Sequence, residues 1–187
     1  MGRRWLMLAA AMLVGCTQTQ SIEIGYNKKE QISTEFGRLP LVIEGIRGPG
    51  EVVLYEGLPS EFWEPQLLER EIARKRIIRL HGYPFYDEPL ALRGADAERF
   101  TAIFSTKGSF KRYRGQKSCG SYHPDYCVEW RTSEATTKVL ICLECGDVEM
   151  FGPRSELHCD LSPEAGQRLK QWLSPYQKNR PTAEASG

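Results

Sequence analysis

The chain has 187 residues, of which 25 are lysine or arginine and 24 are aspartate or glutamate, so its net charge is +1. A nucleic-acid surface needs a clear basic excess, and this balance therefore argues against a nucleic-acid partner. The length suits one domain that buries a substantial hydrophobic core.

The first residues combine two arginines, Arg3 and Arg4, with an apolar run over 5–14. This run has about half of the ~20 residues that a membrane-spanning helix needs, so it is typical of a signal peptide that is removed. It ends in Leu13-Val14-Gly15-Cys16, which resembles the lipobox of bacterial lipoproteins. The resemblance implies a lipoprotein signal peptide over 1–15 and a diacylglyceryl group on the Cys16 sulfur. An ordinary secretory signal before an unmodified cysteine is the alternative.

Acyl chains on Cys16 make membrane lipid the predicted partner, because each buried methylene contributes about 0.8 kcal/mol. In Gram-negative lipoproteins an aspartate after the cysteine usually means retention at the inner membrane. Thr17 at that position therefore implies the outer membrane, facing the periplasm, if the source is Gram-negative. The polar segment 16–35 predicts a flexible tether. Loss of 1–15 leaves 23 basic against 24 acidic residues, a net charge of −1.

The first part of the predicted domain contains two short strands, over 39–46 and 52–55, around Gly48-Pro49-Gly50. A helix is predicted from Ser60, which can cap it, to about residue 79. Its many charged side chains form either a solvated face or a site for an acidic partner. A second helix is predicted over 96–107.

The C-terminal half predicts strands over 126–132, 136–143, 147–151 and, at an edge, 157–161. Short connections favour an antiparallel meander. A closing helix over 162–173 has Ser162 as its cap and Pro163 in its first turn. We therefore expect one α+β domain over 36–175, with a small antiparallel sheet of about four strands and two or three helices, followed by a disordered tail over 176–187.

Three groups of residues carry a further resemblance. They are Leu80-His81-Gly82-Tyr83-Pro84, then Cys119 with His123-Pro124-Asp125-Tyr126 and Val128-Glu129-Trp130, then Ile141-Cys142-Leu143-Glu144-Cys145-Gly146. In this order, and with a terminal amphipathic helix, they resemble a family of uncharacterised bacterial lipoproteins and exported proteins. The match covers roughly 78–175. It implies a fold but no mechanism.

The spacing of the cysteines allows a metal site. Cys142 and Cys145 are two residues apart and are followed by Gly146, so both sulfurs can face one ion while the glycine relieves the tight turn. Cys119 and His123 can supply two more ligands, with 18 residues between the two halves. The resulting Cys3His set is close to a structural zinc ribbon, with zinc as the expected metal and no open position for a substrate.

Disulfides are the competing interpretation, because an exported protein is in an oxidising compartment. Besides Cys16 the number of cysteines is odd, so they cannot all pair within one chain. Cys119 with Cys127 is one plausible pair, and a second involves Cys142 or Cys145. The full set of disulfide candidates is Cys119, Cys127, Cys142, Cys145 and Cys159.

Catalytic interpretations are weaker. A CxxC pair can cycle between dithiol and disulfide, but Glu144 and Asp147 beside it should raise a thiol pKa, and no helix begins there. His81 is a candidate ligand or base, or a structural residue of a turn. No Gly-x-Ser-x-Gly nucleophile elbow occurs in the sequence.

The sequence therefore favours a membrane-anchored envelope lipoprotein with a non-enzymatic binding or structural role. A small zinc-binding module is the main alternative, and a thiol–disulfide redox protein is the second.

Overall fold

The computed structural model describes residues 32–47, 50–115, 117 and 120–181. This part of the chain is α+β, as the sequence predicts, but its sheet is larger than the four strands expected. The helices are α1 (Leu39–Ile46), α2 (Pro65–Arg74), α3 (Asp96–Phe104) and α4 (Pro163–Leu173). The strands are β1 (Glu51–Glu56), β2 (Ile77–Leu80), β3 (Tyr83–Tyr86), β4 (Phe110–Arg112), β5 (Tyr126–Arg131), β6 (Thr136–Cys142), β7 (Asp147–Phe151) and β8 (Glu156–Leu161).

Six of the described strands form one antiparallel sheet with the order β1-β5-β6-β7-β8-β4, and β2 and β3 form a separate hairpin. The meander from β5 to β8 confirms the prediction for this half of the chain. The edge position predicted for β8 is wrong, because β4 pairs with its outer side. β4 has only three residues, and such a short strand is hard to read from sequence.

The strand predicted over 39–46 is wrong, because these residues form α1. Pro40 stands in the first turn of this helix, where proline is tolerated. Leu39, Val42, Ile43 and Ile46 are all buried, at the spacing of three and four residues that places side chains on one helical face. The apolar run therefore has a helical period.

The long helix predicted over 60–79 is also wrong in its bounds. Pro65 occupies the first turn of α2, and its ring would break a helix that began several residues earlier. Ser60 accepts a hydrogen bond from the Trp63 backbone N–H in the preceding turn, at 3.3 Å, and does not cap α2. Beyond Arg74 the backbone is extended, and Ile77 begins β2. Both residues of the β2–β3 turn, His81 and Gly82, have positive φ angles, as a tight hairpin turn requires.

The other two predicted helices are confirmed, although α3 ends at Phe104. Ser162 caps α4 by accepting a hydrogen bond from the Ala165 backbone N–H at 3.2 Å. No helix of the described residues is long and apolar enough to cross a membrane.

Alternating side chains give the six-stranded sheet two different faces. One face carries Val128, Ile141 and Met150 and is covered by α1, α3 and α4, which together form the main hydrophobic core. The other face carries Cys127 and Leu140 and is covered by the β2–β3 hairpin. At the β7–β8 end this second face becomes polar, with the buried residues Asp147, Glu149, His158 and Asp160.

Candidate functional site

The turn between β6 and β7 places two cysteines and a carboxylate together. Gly146 has a φ of +68°, and its N–H donates to the Cys142 carbonyl at 3.0 Å, so the glycine relieves the tight turn as the sequence predicts. The Sγ atoms of Cys142 and Cys145 and one carboxylate oxygen of Asp147 all lie within 4.8 Å of one another. We call these three residues the cysteine turn.

The cysteine turn contains both a disulfide and a free thiol. Cys145 is disulfide-bonded, whereas Cys127, Cys142 and Cys159 are free thiols. The partner of Cys145 therefore lies outside the described residues, as do Cys16 and Cys119. The pairing of Cys119 with Cys127 is not formed. Cys127 is instead fully buried in β5, within the apolar cluster under the hairpin.

The Cys142 thiol receives two backbone hydrogen-bond donors. The N–H of Cys145 lies 3.4 Å from its sulfur, and the backbone N–H of His123 donates to it as well. Burial is the largest effect and raises the pKa of Cys142 to about 11, with Asp125 and Asp147 adding to the increase. This direction agrees with the anionic influence that the sequence predicts, and it is the opposite of what an activated redox cysteine needs.

The His123 ring points to a different partner. Its Nε2 lies 2.8 Å from the Leu58 carbonyl oxygen, and the ring is not part of the cysteine turn. Burial lowers the pKa of His123, and the nearby Arg180 lowers it further, whereas Asp125 raises it. Of the predicted Cys3His set, the structure thus brings Cys142 and Cys145 together and adds Asp147, which our sequence reasoning did not select.

Asp147 is an unusual residue of this site, because it is only 2% exposed. Its Oδ2 lies 3.0 Å from His158 Nε2, but among the described residues its Oδ1 has no hydrogen-bond partner. Tyr113 stacks on the His158 ring with the two centroids 4.0 Å apart. A buried carboxylate oxygen without a partner is costly, so this atom is ready to accept a cation or a proton donor.

A second buried acid lies next to Asp147. Asp160 is its cross-strand partner in β8 and forms an ion pair with Lys117, whose Nζ is 2.9 Å from Oδ1. A 200 Å³ cavity lies beside this ion pair, and its lining includes Tyr113, Lys117, Cys145 and Asp147. At the polar end of the sheet, Lys117 therefore neutralises the charge of Asp160, and the cavity leaves space for a small ligand beside Asp147.

Arg180 lines two further cavities, of about 610 and 280 Å³. Its guanidinium bridges Asp125 and Glu64, with N–O distances of 2.9 Å to each. The smaller cavity is lined by His123, Cys142, Cys145 and the side chain of Trp63, among others. Phe62 and Trp63 are exposed at 59% and 56% and pack edge to face.

Arg180 belongs to a segment that the sequence assigns to the disordered tail. Residues 176–180 instead pack against the domain: Tyr176 is buried, and the backbone N–H groups of Lys178, Asn179 and Arg180 donate to the Glu56 carboxylate. Glu56 is 1% exposed, and the three donors satisfy its charge. The polar composition of the tail gave no sign of this contact. Residues 182–187 lie outside the described residues.

The three histidines have separate surroundings. His81 stacks on Phe151 at the hairpin turn, with centroids 3.5 Å apart, which favours its structural interpretation. His123 contacts Leu58, and His158 contacts Asp147. The described contacts thus show each ring serving a different part of the fold.

Comparisons of the chain with protein-family models, with curated proteins and with solved structures find no match.

Proposed function

We propose that this protein is a membrane-anchored envelope lipoprotein whose α+β domain has a non-enzymatic binding or structural role. One observation carries the proposal: Cys145 is part of a disulfide. Structural disulfides persist in exported proteins and are rare in reducing compartments. The disulfide on Cys145 is therefore consistent with export, which the predicted lipoprotein signal peptide over 1–15 and the predicted acylation of Cys16 also require.

The polar composition of residues 16–35 supports the same proposal. A segment of this composition suits a tether between a lipid on Cys16 and the folded domain, and a flexible chain of about 20 residues has a root-mean-square reach of roughly 25 Å. If the source is Gram-negative, Thr17 places the anchor in the outer membrane with the domain in the periplasm.

The non-enzymatic role is supported by the state of the thiols. Burial raises the pKa of Cys127, Cys142 and Cys159 above the ordinary cysteine value, so none of these three is an activated nucleophile. The cavities beside Arg180 are lined by charged side chains, and the smaller one also by the exposed Trp63, which suits binding of a polar ligand with an apolar part.

Cell fractionation of a Cys16→Ser variant tests the anchor. We expect the wild-type chain in the membrane fraction, with a diacylglyceryl-modified N-terminal Cys16 by mass spectrometry, and the variant in the soluble fraction. Thr17→Ser is the matched control, because it changes the adjacent residue but keeps the thiol. Membrane partition of Cys16→Ser equal to that of the wild type would contradict the proposal.

A second function, zinc binding in the reduced protein, is favoured by the cysteine turn. Two sulfurs and a carboxylate within 4.8 Å of one another suit a tetrahedral ion, and the Asp147 Oδ1 has no partner among the residues that the structure describes. The disulfide on Cys145 excludes this in the oxidised form, since only a thiolate binds zinc.

Metal analysis of the reduced and oxidised full chain tests the second function. We expect about one zinc per chain after reduction and none before it. Asp147→Asn should weaken zinc binding, because it replaces one of the three ligands. Glu144→Gln should not, because Glu144 lies between the two cysteines in the sequence but is not one of the three ligands. Absence of zinc from the reduced wild type, or equal binding by Asp147→Asn, would rule this function out.

A further inference from the structure

An exposed tryptophan lies beside a polar cavity, in the turn before α2. Trp63 lines the 280 Å³ cavity and is 56% exposed, and Phe62, 59% exposed, packs edge to face against it with the ring centroids 4.6 Å apart. Two adjacent aromatic rings in water forgo a large free energy of burial. We therefore expect a ligand with an apolar surface to bind at this pair.

Hydrogen bonds fix the turn that carries the tryptophan. The Trp63 N–H donates to Ser60 Oγ at 3.3 Å, and the Glu64 N–H donates to the Ser60 carbonyl at 2.7 Å. The Ser60 N–H in turn donates to Glu64 Oε2 at 3.3 Å. The same carboxylate pairs with Arg180 at 2.9 Å, which ties the turn to the C-terminal segment. A ring on such a fixed turn loses little conformational freedom when a ligand stacks on it.

The cavity beside this ring offers both hydrogen-bond donors and acceptors. Arg180 gives one N–H to Asp125 Oδ1 and one to Glu64 Oε2, each at 2.9 Å, and a guanidinium has further N–H donors in the same plane. In the described contacts Glu64 accepts only through Oε2, so its Oε1 remains an acceptor. A hydroxyl group both donates and accepts, so neighbouring hydroxyls of a ligand can bind to such a donor and acceptor together.

The charges of the cavity select against charged ligands. Among the described residues its lining has three carboxylates, Glu64, Asp125 and Glu144, and one cation, Arg180, so it repels an anion. A cation would compete with Arg180, which already pairs with two of these carboxylates. A neutral ligand rich in hydroxyl groups can use the remaining donors and acceptors without separating an ion pair.

We infer that Trp63 and the cavity beside Arg180 form a binding site for a neutral saccharide. The C–H face of a sugar ring stacks on the electron-rich face of the Trp63 ring, and hydroxyls of the sugar reach Glu64 and Arg180. Sugars whose hydroxyls are equatorial, as in glucose, fit best, because only hydrogen atoms project from their ring faces. The inference names the ligand class for the binding role proposed above and rests on that role.

The size of the site suits a short oligosaccharide. The 280 Å³ cavity adjoins the 610 Å³ cavity, and the two share the lining residues Glu64, Asp125, Glu144 and Arg180. Small-molecule sites have volumes of about 300–1,000 Å³, so the two adjoining spaces are large enough for a few sugar rings.

Isothermal titration calorimetry of the full chain with cellotriose and with triacetylchitotriose tests the inference, in buffer without sugar-based detergents. Both probes are neutral trisaccharides with equatorial ring substituents. We expect the wild type to bind at least one of them with a Kd below about 1 mM. Trp63→Ala should weaken binding about tenfold, and Trp63→Phe, which keeps an aromatic face, should weaken it less. Leu41→Ala, which removes an exposed apolar side chain from α1, is the matched control and should bind like the wild type.

Absence of binding of both trisaccharides to the wild type at about 10 mM would overturn the inference. Equal binding by Trp63→Ala would also overturn it, as would tighter binding of trilysine than of either sugar, because that indicates a site for a cationic peptide. If Trp63→Ala fails to fold, the comparison of the wild type with Trp63→Phe decides.

Cell fractionation separates this result from the anchor. A chain that partitions with the membrane but binds neither sugar contradicts only the saccharide site. A chain that binds sugar but stays outside the membrane fraction contradicts only the anchor.

Discussion

Glu56 shows how a single carboxylate fixes the C-terminal segment. The guanidinium of Arg180 pairs with Glu64 and Asp125, while the Glu56 carboxylate accepts hydrogen bonds from the backbone N–H groups of residues 178–180. Charge-assisted hydrogen bonds of this kind are roughly twice as strong as neutral ones. A buried carboxylate is therefore tolerated in β1 because the chain end satisfies it.

Replacement of Glu56 tests this anchor. Glu56→Ala should lower the free energy of unfolding by about 2 kcal/mol, because it leaves three backbone donors without their acceptor, and it should expose the segment after Tyr176 to proteases. Urea unfolding and limited proteolysis measure the two effects. Glu88→Ala is the matched control: Glu88 also contacts Lys178, at 2.7 Å, but on the surface, so stability should not change measurably. Equal effects of the two variants would contradict the anchor.

His123 gives the fold a pH dependence at the residue scale. Burial lowers its pKa in the folded state below the ordinary value of 6.5, so the unfolded chain binds a proton more readily than the folded one. The neutral His123 side chain therefore contributes fully to the stability of the fold above pH 6.5, the ordinary pKa of histidine. This contribution is lost as the pH falls from 6.5 through the lowered pKa of the folded state.

We therefore expect the free energy of unfolding of the wild type to decrease as the pH falls below about 6.5. The slope should be smaller in His123→Asn, which cannot take up a proton in this range. Urea titrations at a series of pH values measure both curves. Parallel curves for the wild type and His123→Asn would exclude this role.

At the level of elements, the end of β1 is restricted by close backbone packing. The Gly57 N–H donates to the Asp125 carbonyl at 2.7 Å, and a Cβ at this position would overlap the carbonyl oxygen of Pro124. Gly57 also forms an isolated bridge with Phe85 of the hairpin. This glycine therefore lets β1 lie between the hairpin and the segment that leads into β5.

Gly57→Ala should lower the free energy of unfolding by about 2 kcal/mol, because the added methyl group must displace backbone. Gly108→Ala is a suitable control, since a Cβ there meets nothing within 4 Å and the loss of a glycine reduces the entropy of the unfolded chain. Thermal unfolding compares the two. An unchanged melting temperature for Gly57→Ala would show that the contact with Pro124 relaxes without cost.

The elements that sequence reasoning placed correctly are those with strong local signals. Ser162 and Pro163 mark the start of α4, and the short turns between β5 and β8 favour a meander. The elements that it misplaced contain apolar runs that fit two periods. The sequence predicts a strand over residues 39–46, but these residues form a helix whose apolar face packs against the core. It predicts Ile77 within a helix, but Ile77 belongs to β2, which pairs with β3.

At the scale of the whole molecule, one sheet separates an apolar core from a smaller polar layer. The face under α1, α3 and α4 contains the main core. The opposite face carries the hairpin and, at the β7–β8 end, the buried acids near the cysteine turn. Cys145, in the turn at this polar end, is disulfide-bonded.

Reduction of that disulfide should destabilise the whole domain by about 2–4 kcal/mol, because a cross-link restricts the unfolded chain. Urea unfolding with and without dithiothreitol measures this difference. Cys145→Ser should be less stable than the oxidised wild type and insensitive to the reductant. An unfolding midpoint of the wild type that does not respond to dithiothreitol would contradict the prediction.

The sequence by itself determined what depends on neighbouring residues: the α+β class, the meander, the cap of α4 and the approach of Cys142 to Cys145 across a turn that Gly146 permits. The lipoprotein signal and the lipid on Cys16 stay predictions. Only the tertiary structure decided that Asp147 joins the two cysteines, that His123 turns to Leu58 and that Glu56 holds residues 178–180. Those contacts join residues from different elements. A local pattern of polar and apolar residues does not indicate which distant group will form a hydrogen bond with a buried charge.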